Sequence, residues 1–241
     1  KEIKEARSKI SNQEREAIMD MRLALSLQES EYLKILPSYK YEGDDCRITK
    51  SFTPIPSVGC YIPGGQARYP SSAVMSITPA KIVGVKRIVV VSPPGPDGKI
   101  DPLTITAAKL CGATEIYKIG GAQAIGALAY GTKSIPKVDK IIGPGGKFVS
   151  IAKSLVSDQT AIDMIAGPTE LGIIADASSD PELVALDLIS QAEHSKDTMC
   201  FVITQSKPMA KQIQKSIEKL IPGTERSSII KESISKNGFI A

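Results

Sequence analysis

The only histidine of the chain, His194, lies three residues after Gln191 near the end of a predicted helix. Residues three apart project from the same helix face, so an amide oxygen and an imidazole nitrogen could meet on one cation. Zinc in proteins usually takes four ligands, and catalytic sites keep one position open. This pair would fill at most half of that shell. The alternative is a histidine at a helix end, stabilised by the negative pole of the helix dipole.

Three glycine-rich loops suggest a second chemistry, since each follows a predicted strand. They are residues 61–66, 120–123 and 143–147. Glycine lets the backbone approach a ligand, and a following helix offers free N–H groups and a positive dipole to a phosphate. The second loop lacks G-x-G-x-x-G spacing, and Phe148 stands where a P-loop needs Ser or Thr. Turn formation would explain each loop alone, whereas three at equivalent sheet positions favour a dinucleotide or phosphate ligand.

Cysteine chemistry is a third possibility, carried by Cys46, Cys60, Cys111 and Cys200. No pair has C-x-x-C spacing, so the sequence indicates neither a zinc knuckle nor a disulfide framework, and reduced thiols of a cytosolic protein are expected. Buried apolar side chains are the simpler interpretation. The alternative is a thiol-dependent aldehyde dehydrogenase with Cys60 or Cys200 as nucleophile, which would need a partner base.

Alternating strands and helices must position these residues. Short β-branched runs predict strands at 58–62, 87–92, 115–119, 138–142, 171–175 and 199–204. Helices are predicted to begin near Pro70, Pro102, Ala122 and Lys147, and to span 180–194 and 208–220. This alternation is typical of parallel sheets with covered faces. We therefore predict an α/β fold with two α/β units, joined by a crossover at 162–168.

The helix that carries Gln191 and His194 has a clear predicted start. Asp180 is a good N-cap, and Pro181 suits the first helical position. An apolar stripe then predicts the buried face of this helix, formed by Leu183, Leu186 and Ile189.

Both ends of the chain give further expectations. Ser11 and Glu14 have the spacing of a capping box, and a long helical pattern follows up to Pro37. Residues 38–57 are polar and predict a loop or an edge strand. The chain starts without methionine and stops in residues 238–241, which predict the opening of a buried strand. We therefore expect a fragment of a longer polypeptide.

Composition limits the class of protein. A chain of 241 residues can form one large α/β domain or two smaller ones, and a hydrophobic content of 42% is ordinary for a globular protein. The net charge of +4 is mild and dispersed, which argues against nucleic acid and membrane partners. No apolar stretch is long enough to span a bilayer.

Five blocks along the chain carry a resemblance to a known family. They read VGCYIPGG (58–65), GGAQAI (120–125), PKVDKIIGPG (136–145), AIDMIAGPTE (161–170) and SQAEH (190–194). In this order they resemble histidinol dehydrogenase, over nearly the whole chain but only a little more than half of a typical member. The resemblance implies a cytoplasmic homodimer that oxidises L-histidinol to L-histidine through the aldehyde, with two NAD⁺ and one zinc.

The resemblance also implies a domain organisation. It consists of two incomplete Rossmann-like domains with parallel sheets, one inserted in the other. The first would comprise residues 1–60 plus 171–241, incomplete on its carboxyl-terminal side. The inserted domain would comprise residues 61–170.

Site residues follow from the same resemblance. Gln191 and His194 would be zinc ligands that also contact the substrate, and Thr169 would contact the substrate where the family usually has serine. Tyr61 and Gln123 would contact NAD. Gly146 is a departure, because the family usually has asparagine there as an NAD contact.

The catalytic base of the family does not occur in this sequence. Members carry it as a glutamate and a histidine in a Pro-Glu-His motif, which the resemblance places beyond Ala241. The remaining zinc ligands, an aspartate and a histidine from the partner subunit, would lie there too. The chain alone is therefore expected to be inactive. The alternative is a non-catalytic α/β nucleotide-binding module that lost the catalytic half.

Overall fold

The computed structural model describes residues 2–36, 38–64, 68–165 and 170–241. Contacts divide the chain into an amino-terminal unit, residues 1–165, and a carboxyl-terminal unit, residues 166–241. Both combine parallel strands with helices, so the predicted α/β class is confirmed. Within the described residues, no helix is both long enough and apolar enough to cross a membrane.

Two helices and a hairpin open the amino-terminal unit. Helix α1 spans Glu2–Ser8, and α2 spans Asn12–Lys34. The predicted capping box is confirmed, because the Ser11 hydroxyl accepts from the Glu14 N–H and the Glu14 carboxylate accepts from the Ser11 N–H. Strands β1 (Tyr39–Glu42) and β2 (Arg47–Lys50) then form an exposed antiparallel hairpin, where the sequence predicted a loop or an edge strand.

A five-stranded parallel sheet forms the centre of this unit. Its strands are β3 (Ser57–Tyr61), β4 (Arg87–Ser92), β5 (Glu115–Lys118), β6 (Lys140–Ile142) and β7 (Ala161–Ile162). They lie in the order β5-β4-β3-β6-β7. The connecting helices are α3 (Pro70–Ile82), α4 (Pro102–Cys111), α5 (Gly121–Tyr130) and α6 (Lys147–Leu155). Four of the strands are those the sequence predicted; the two-residue β7 was not predicted.

Helices cover both faces of this sheet. Alternate residues of β4 point to opposite faces, so Ile88 and Val90 pack with α3 and α4, whereas Val89 and Val91 pack with α5 and α6. From β3 the chain adds β4 and then β5 towards one edge of the sheet. It then returns to the other side of β3, where β6 and β7 extend the sheet to the opposite edge. The strand order reverses between β3 and β6, which is where doubly wound sheets bind their ligands.

The carboxyl-terminal unit is a smaller parallel sheet. Its strands are β8 (Glu170–Ile174), β9 (Met199–Ile203) and β10 (Phe239–Ile240), in the order β10-β9-β8. Its helices are α7 (Pro181–Ala192), α8 (Lys207–Leu220) and α9 (Ser227–Asn237), with a 3₁₀ turn at Ile221–Gly223. They pack on the sheet face that presents Cys200 and Val202. The opposite face presents Phe201, stacked at 4.9 Å on Phe239.

Two predictions about this unit were wrong. Leu183 and Leu186 are exposed, and α7 instead buries Val184, Ala185 and Leu188 together with the correctly predicted Ile189. The helix is apolar on more than one side, so its period did not single out the packed face. The last strand is present but not buried, because Phe239 is 51% exposed at the edge of the sheet.

Both predicted domain boundaries can be compared with the structure. The boundary between residues 60 and 61 falls within β3, all five residues of which pair with β4. The boundary near residue 170 lies close to the division between the two compact units. That residues 1–60 join residues 171–241 in one domain stays a prediction.

Candidate functional site

The reversal of strand order brings two backbone segments into close contact at the carboxyl edge of the five-stranded sheet. Gly143 directly follows β6 and has φ +112°. A Cβ on this residue would lie 2.1 Å from the carbonyl oxygen of Tyr61, the last residue of β3. Only glycine permits this approach and this backbone conformation. The loops that begin at residues 62 and 143 therefore leave the sheet side by side.

Tyr61 connects this point to the next loop. Its ring is packed among apolar side chains and is 5% exposed, and its hydroxyl accepts a hydrogen bond of 3.1 Å from the Gly121 N–H. Gly121 is the first residue of α5 and has φ +66°. Tyr61 thus fixes the start of α5 against the end of β3. Its predicted contact with NAD stays a prediction.

The loop after β5 also packs against the loop after β4. A Cβ on Gly120 would lie 2.5 Å from the Cβ of Pro93, so this position needs glycine. Gln123 lies in the first turn of α5 and is exposed, and its amide oxygen lies beside Gly121, 2.7 Å from where a Cβ on that glycine would be. The loops after four adjacent strands therefore meet at one edge.

Gly146 provides the N-cap of α6 and leaves room beside it. Its backbone is extended, with φ −66° and ψ 176°, and no heavy atom lies within 4 Å of a Cβ placed there. The space that the family's asparagine side chain would occupy is open. A nucleotide at this edge would meet two helix starts capped by glycine, at Gly120 and Gly146, which suits a phosphate. These residues fit NAD.

A cavity of about 330 Å³ opens beside the same edge. Pro63, Gly64, Ser92 and Pro93 line it where β3 and β4 end, and residues of α1 and α4 complete it. This volume lies at the lower end of the range for small-molecule pockets. Several of its charged side chains are paired, for example Arg68 with Asp101 at 3.0 Å.

Lys153 and Asp163 form an ion pair that sequence reasoning missed, and the lysine is its buried member. The Lys153 side chain is 3% exposed, and its ammonium donates to the Asp163 carboxylate and, at 3.0 Å, to the Gly143 carbonyl. The other Asp163 oxygen accepts from the Gly143 N–H at 2.8 Å. One signal was available in the sequence: Lys153 interrupts the apolar stripe of Val149 and Val156 on α6.

The charge of Asp163 is set by its surroundings and acts on a thiol. Partial burial opposes ionisation, but Lys153 and the N–H groups of Gly143 and Met164 prevail and lower the pKa of Asp163. Burial, with a smaller effect from the Asp163 charge, raises the pKa of Cys60 to about 12. Asp163 is therefore a fixed anion at neutral pH, and Cys60 is a fixed neutral thiol.

The thiol positions do not favour a nucleophilic role. Cys60 is fully buried, and Cys200 is 3% exposed with a pKa raised by burial. A reactive thiol needs a lowered pKa and access to substrate. Neither residue meets either condition, which argues against the aldehyde dehydrogenase alternative.

Gln191 and His194 lie in the carboxyl-terminal unit. Helix α7 ends at Ala192, two residues earlier than predicted, so His194 lies in the following turn. The backbone N–H of His194 donates to the backbone carbonyl of Gln191 at 3.2 Å. His194 is exposed and Gln191 is half-buried. The residues that the structure describes contain no group of three or more His, Cys, Asp or Glu able to hold a metal. The pair alone fits half of a zinc shell, and Thr169 lies outside the described residues.

The doubly wound sheet, with glycine loops converging where its strand order reverses, defines a Rossmann-like α/β protein. The chain belongs to the histidinol dehydrogenase family, whose sequence model matches residues 1–241.

Individual relatives agree with this assignment. Histidinol dehydrogenase of Oceanobacillus iheyensis is 50% identical over 194 residues, which cover 80% of this chain and 45% of that protein. Histidinol dehydrogenase of Bacillus cereus is 52% identical over 187 residues, 78% of this chain and 43% of that protein. The chain thus spans about half the length of the curated relatives it matches.

Solved structures give the same assignment. The crystal structure of histidinol dehydrogenase from Elizabethkingia anophelis matches with a TM-score of 0.90 and 35% identity, covering 100% of this chain and 55% of that one. Succinate-semialdehyde dehydrogenase from Burkholderia pseudomallei matches at a TM-score of 0.52 and 15% identity, over 82% of this chain and 41% of that one. The second likeness concerns the fold alone.

Proposed function

We propose that the chain forms the cofactor-binding portion of a zinc-dependent histidinol dehydrogenase. The whole enzyme would oxidise L-histidinol to L-histidine through the aldehyde, with two NAD⁺. The observation that supports this most is the edge where the loops after β3 and β6 touch, in a chain that belongs to this family. Since the chain spans about half of its relatives' length, the activity is proposed for the whole enzyme only.

Residues at the edge of the five-stranded sheet would hold NAD⁺. Gln123 would hydrogen-bond the cofactor from the first turn of α5, and Tyr61 would keep that turn in place. The helix starts at Gly120 and Gly146 would present N–H groups to its phosphates. Bound NAD⁺ supplies the hydride acceptor. The contribution of these residues is to bind and orient the cofactor, which is where much of the rate of such enzymes originates.

Gln191 and His194 would give two ligands to zinc and would contact histidinol, together with Thr169. Two ligands do not complete a zinc site, so no reaction step is assigned to zinc from this chain. The turn that carries His194 is exposed and leaves the imidazole accessible. His194 is the only imidazole in this sequence, so as a zinc ligand it cannot also be the general base. Proton transfer by a positioned base typically contributes about 10²- to 10⁴-fold in rate, so the chain alone should be close to inactive.

Two features of the whole enzyme belong to the same proposal. It would be a homodimer, because the family resemblance implies a zinc ligand from the partner subunit. It would work in the cytoplasm, which suits four free cysteines.

The test combines binding and turnover on the 241-residue chain. We expect titration calorimetry to detect NAD⁺ binding, and we expect no NADH from histidinol and NAD⁺ with or without zinc. Gln123→Ala should weaken binding several-fold, whereas Gln28→Ala, an exposed helical glutamine of α2, should not. Clear turnover by this chain would contradict the proposal that the general base lies in another part of the whole enzyme. Absence of NAD⁺ binding would contradict the cofactor-binding role.

A second candidate is a non-catalytic α/β nucleotide-binding module, because the edge where the loops after β3 and β6 touch would serve it equally well. Both candidates would bind NAD⁺, so a binding measurement does not distinguish them. Reading the coding sequence past the codon for Ala241 does distinguish them. A Pro-Glu-His motif there supports the enzyme, and a stop codon supports the module.

A further inference from the structure

We propose that the Lys153–Asp163 ion pair is a positioning device that holds the loop 143–146 in the conformation that receives the nucleotide. This inference rests on the proposed function. It assigns a role to two residues that would not themselves touch the cofactor.

Both backbone polar groups of Gly143 are held by this pair. The Asp163 carboxylate accepts from the Gly143 N–H at 2.8 Å, and the Lys153 ammonium donates to the Gly143 carbonyl at 3.0 Å. Gly143 is the residue whose φ of +112° turns the chain away from β6 and against Tyr61. Fixing its N–H and its carbonyl together fixes the direction in which Pro144 and Gly145 leave the sheet.

The ion pair also joins the loop to both of its neighbouring elements. Lys153 lies on α6, the helix that the loop enters, and Asp163 follows β7, the strand that α6 leads to. A Cβ on Gly145 would lie 2.3 Å from Val149, so the loop packs directly on the same helix. The start of α6, with Gly146 as its N-cap, therefore cannot shift relative to β6 without breaking the pair.

A buried lysine is an expensive way to fill this space, since replacing a buried ion pair by apolar side chains of similar volume is often neutral or stabilising. Lys153 is among the few buried charged or polar side chains of the described residues, alongside serines and threonines. A directional role explains its presence better than packing does, because an apolar pair could not hold a carbonyl and an N–H at once.

The test compares ion pairs at the two ends of one sheet. Arg87 and Glu115, paired at 2.7 Å, lie at the starts of β4 and β5, away from the loop. Asp163→Asn should weaken NAD⁺ binding about ten- to a hundredfold, by analogy with groups that orient metal ligands, whereas Glu115→Gln should leave NAD⁺ affinity unchanged. Asp163→Asn leaves the ammonium buried without a counter-ion. The double variant Lys153→Met with Asp163→Asn removes both charges and should weaken binding by a similar factor.

A second measurement separates this inference from the proposed function. Hydrogen exchange of the Gly143 N–H without nucleotide should be slow in the wild type and at least about tenfold faster in both variants, because the carboxylate that accepts from this N–H is replaced by a neutral amide, which is a weaker acceptor. Unchanged NAD⁺ affinity in folded variants would overturn the positioning role. Unchanged exchange would overturn the claim that the pair fixes the loop. A wild type that binds no NAD⁺ would overturn the proposed function. In that case, faster exchange in the variants would still show that the pair fixes the loop, but not that the loop receives a nucleotide.

Discussion

The two units of the chain use the same kinds of element and differ in how completely they enclose their candidate sites. In the amino-terminal unit, helices cover both faces of the sheet, and four loops meet at one edge through tyrosine, glycine and ion-pair contacts. In the carboxyl-terminal unit, as described from residue 170, the helices cover one face, and Gln191 and His194 lie where α7 ends. The edge proposed to bind the cofactor is preformed, whereas the predicted metal ligands lie at a helix end where His194 is exposed.

This difference separates two kinds of contribution to a dehydrogenase. A preformed edge costs little reorganisation when a cofactor binds, so affinity for the cofactor can be a property of this unit. A metal site needs several ligands at fixed distances, and two side chains at a helix end do not provide them. The chain should therefore bind nucleotide much better than it binds metal.

The largest expected difference concerns the thiols, both within the amino-terminal unit, which holds Cys46 and Cys60, and between this unit and the one that holds Cys200. Cys60 lies inside the doubly covered sheet with a pKa of about 12, three units above the ordinary 9.0, so its thiolate is about a thousandfold rarer than for an ordinary thiol. We expect native labelling with iodoacetamide to modify the exposed Cys46 first, then Cys200, and Cys60 last. Mass spectrometry of timed samples measures the order. In urea, as a control, all four cysteines should react at similar rates. If Cys60 in the native protein were labelled as fast as Cys46, the hypothesis of Cys60 as a nucleophile would regain support.

Two glycines test the rigidity of each unit. Gly143→Ala places a Cβ 2.1 Å from the Tyr61 carbonyl at a φ of +112°, and strain and overlap should together cost about 2 to 6 kcal/mol of unfolding free energy. Gly172→Ala in β8 meets the Phe201 ring at 2.6 Å. That ring lies on the partly exposed face and can move, so the cost should be about 1 kcal/mol or less. Urea denaturation measures both, and equal losses would contradict the contrast between the units.

Much of this architecture could be predicted from the sequence because its signals are local. Six strands were predicted to within two residues at every end, since each is a short run with β-branched residues, in most cases close to glycine or proline. Helix α9 was missed, because the stretch Ser227–Asn237 is mostly polar and buries little more than Ile230 and Ser233. The last strand was predicted, but its exposure was not.

The geometry of the candidate sites could not be predicted in the same way. The role of Lys153 depends on a carboxylate ten residues away that approaches only when β7 adds to the sheet. The buried face of α7 depends on which of several apolar sides the sheet covers. The end of α7 before His194 is not marked by glycine or proline, so the helix was extended two residues too far. In each case the deciding contact is tertiary.

The smallest expected effect concerns Gly146, where the family resemblance led us to expect asparagine as an NAD contact. Gly146→Asn should tighten NAD⁺ binding by about two- to tenfold, because one added hydrogen bond is worth about 0.5–1.5 kcal/mol. The substitution needs no rearrangement, since the backbone there is extended and no heavy atom lies within 4 Å of the new Cβ. Calorimetric titration of both proteins measures the change.

Asparagine is also a good N-cap, so a gain in helix stability must be told apart from a contact with the cofactor. Gly146→Asp caps α6 equally well but brings a negative charge to the place proposed for phosphates, and it should weaken NAD⁺ binding. Gly146→Ala fills the same space without a hydrogen bond and should leave affinity nearly unchanged. If asparagine and aspartate shifted affinity in the same direction, capping would be the cause, and the nucleotide would not reach the start of α6. Opposite shifts would place the cofactor at this edge, where the amino-terminal unit is already assembled to receive it.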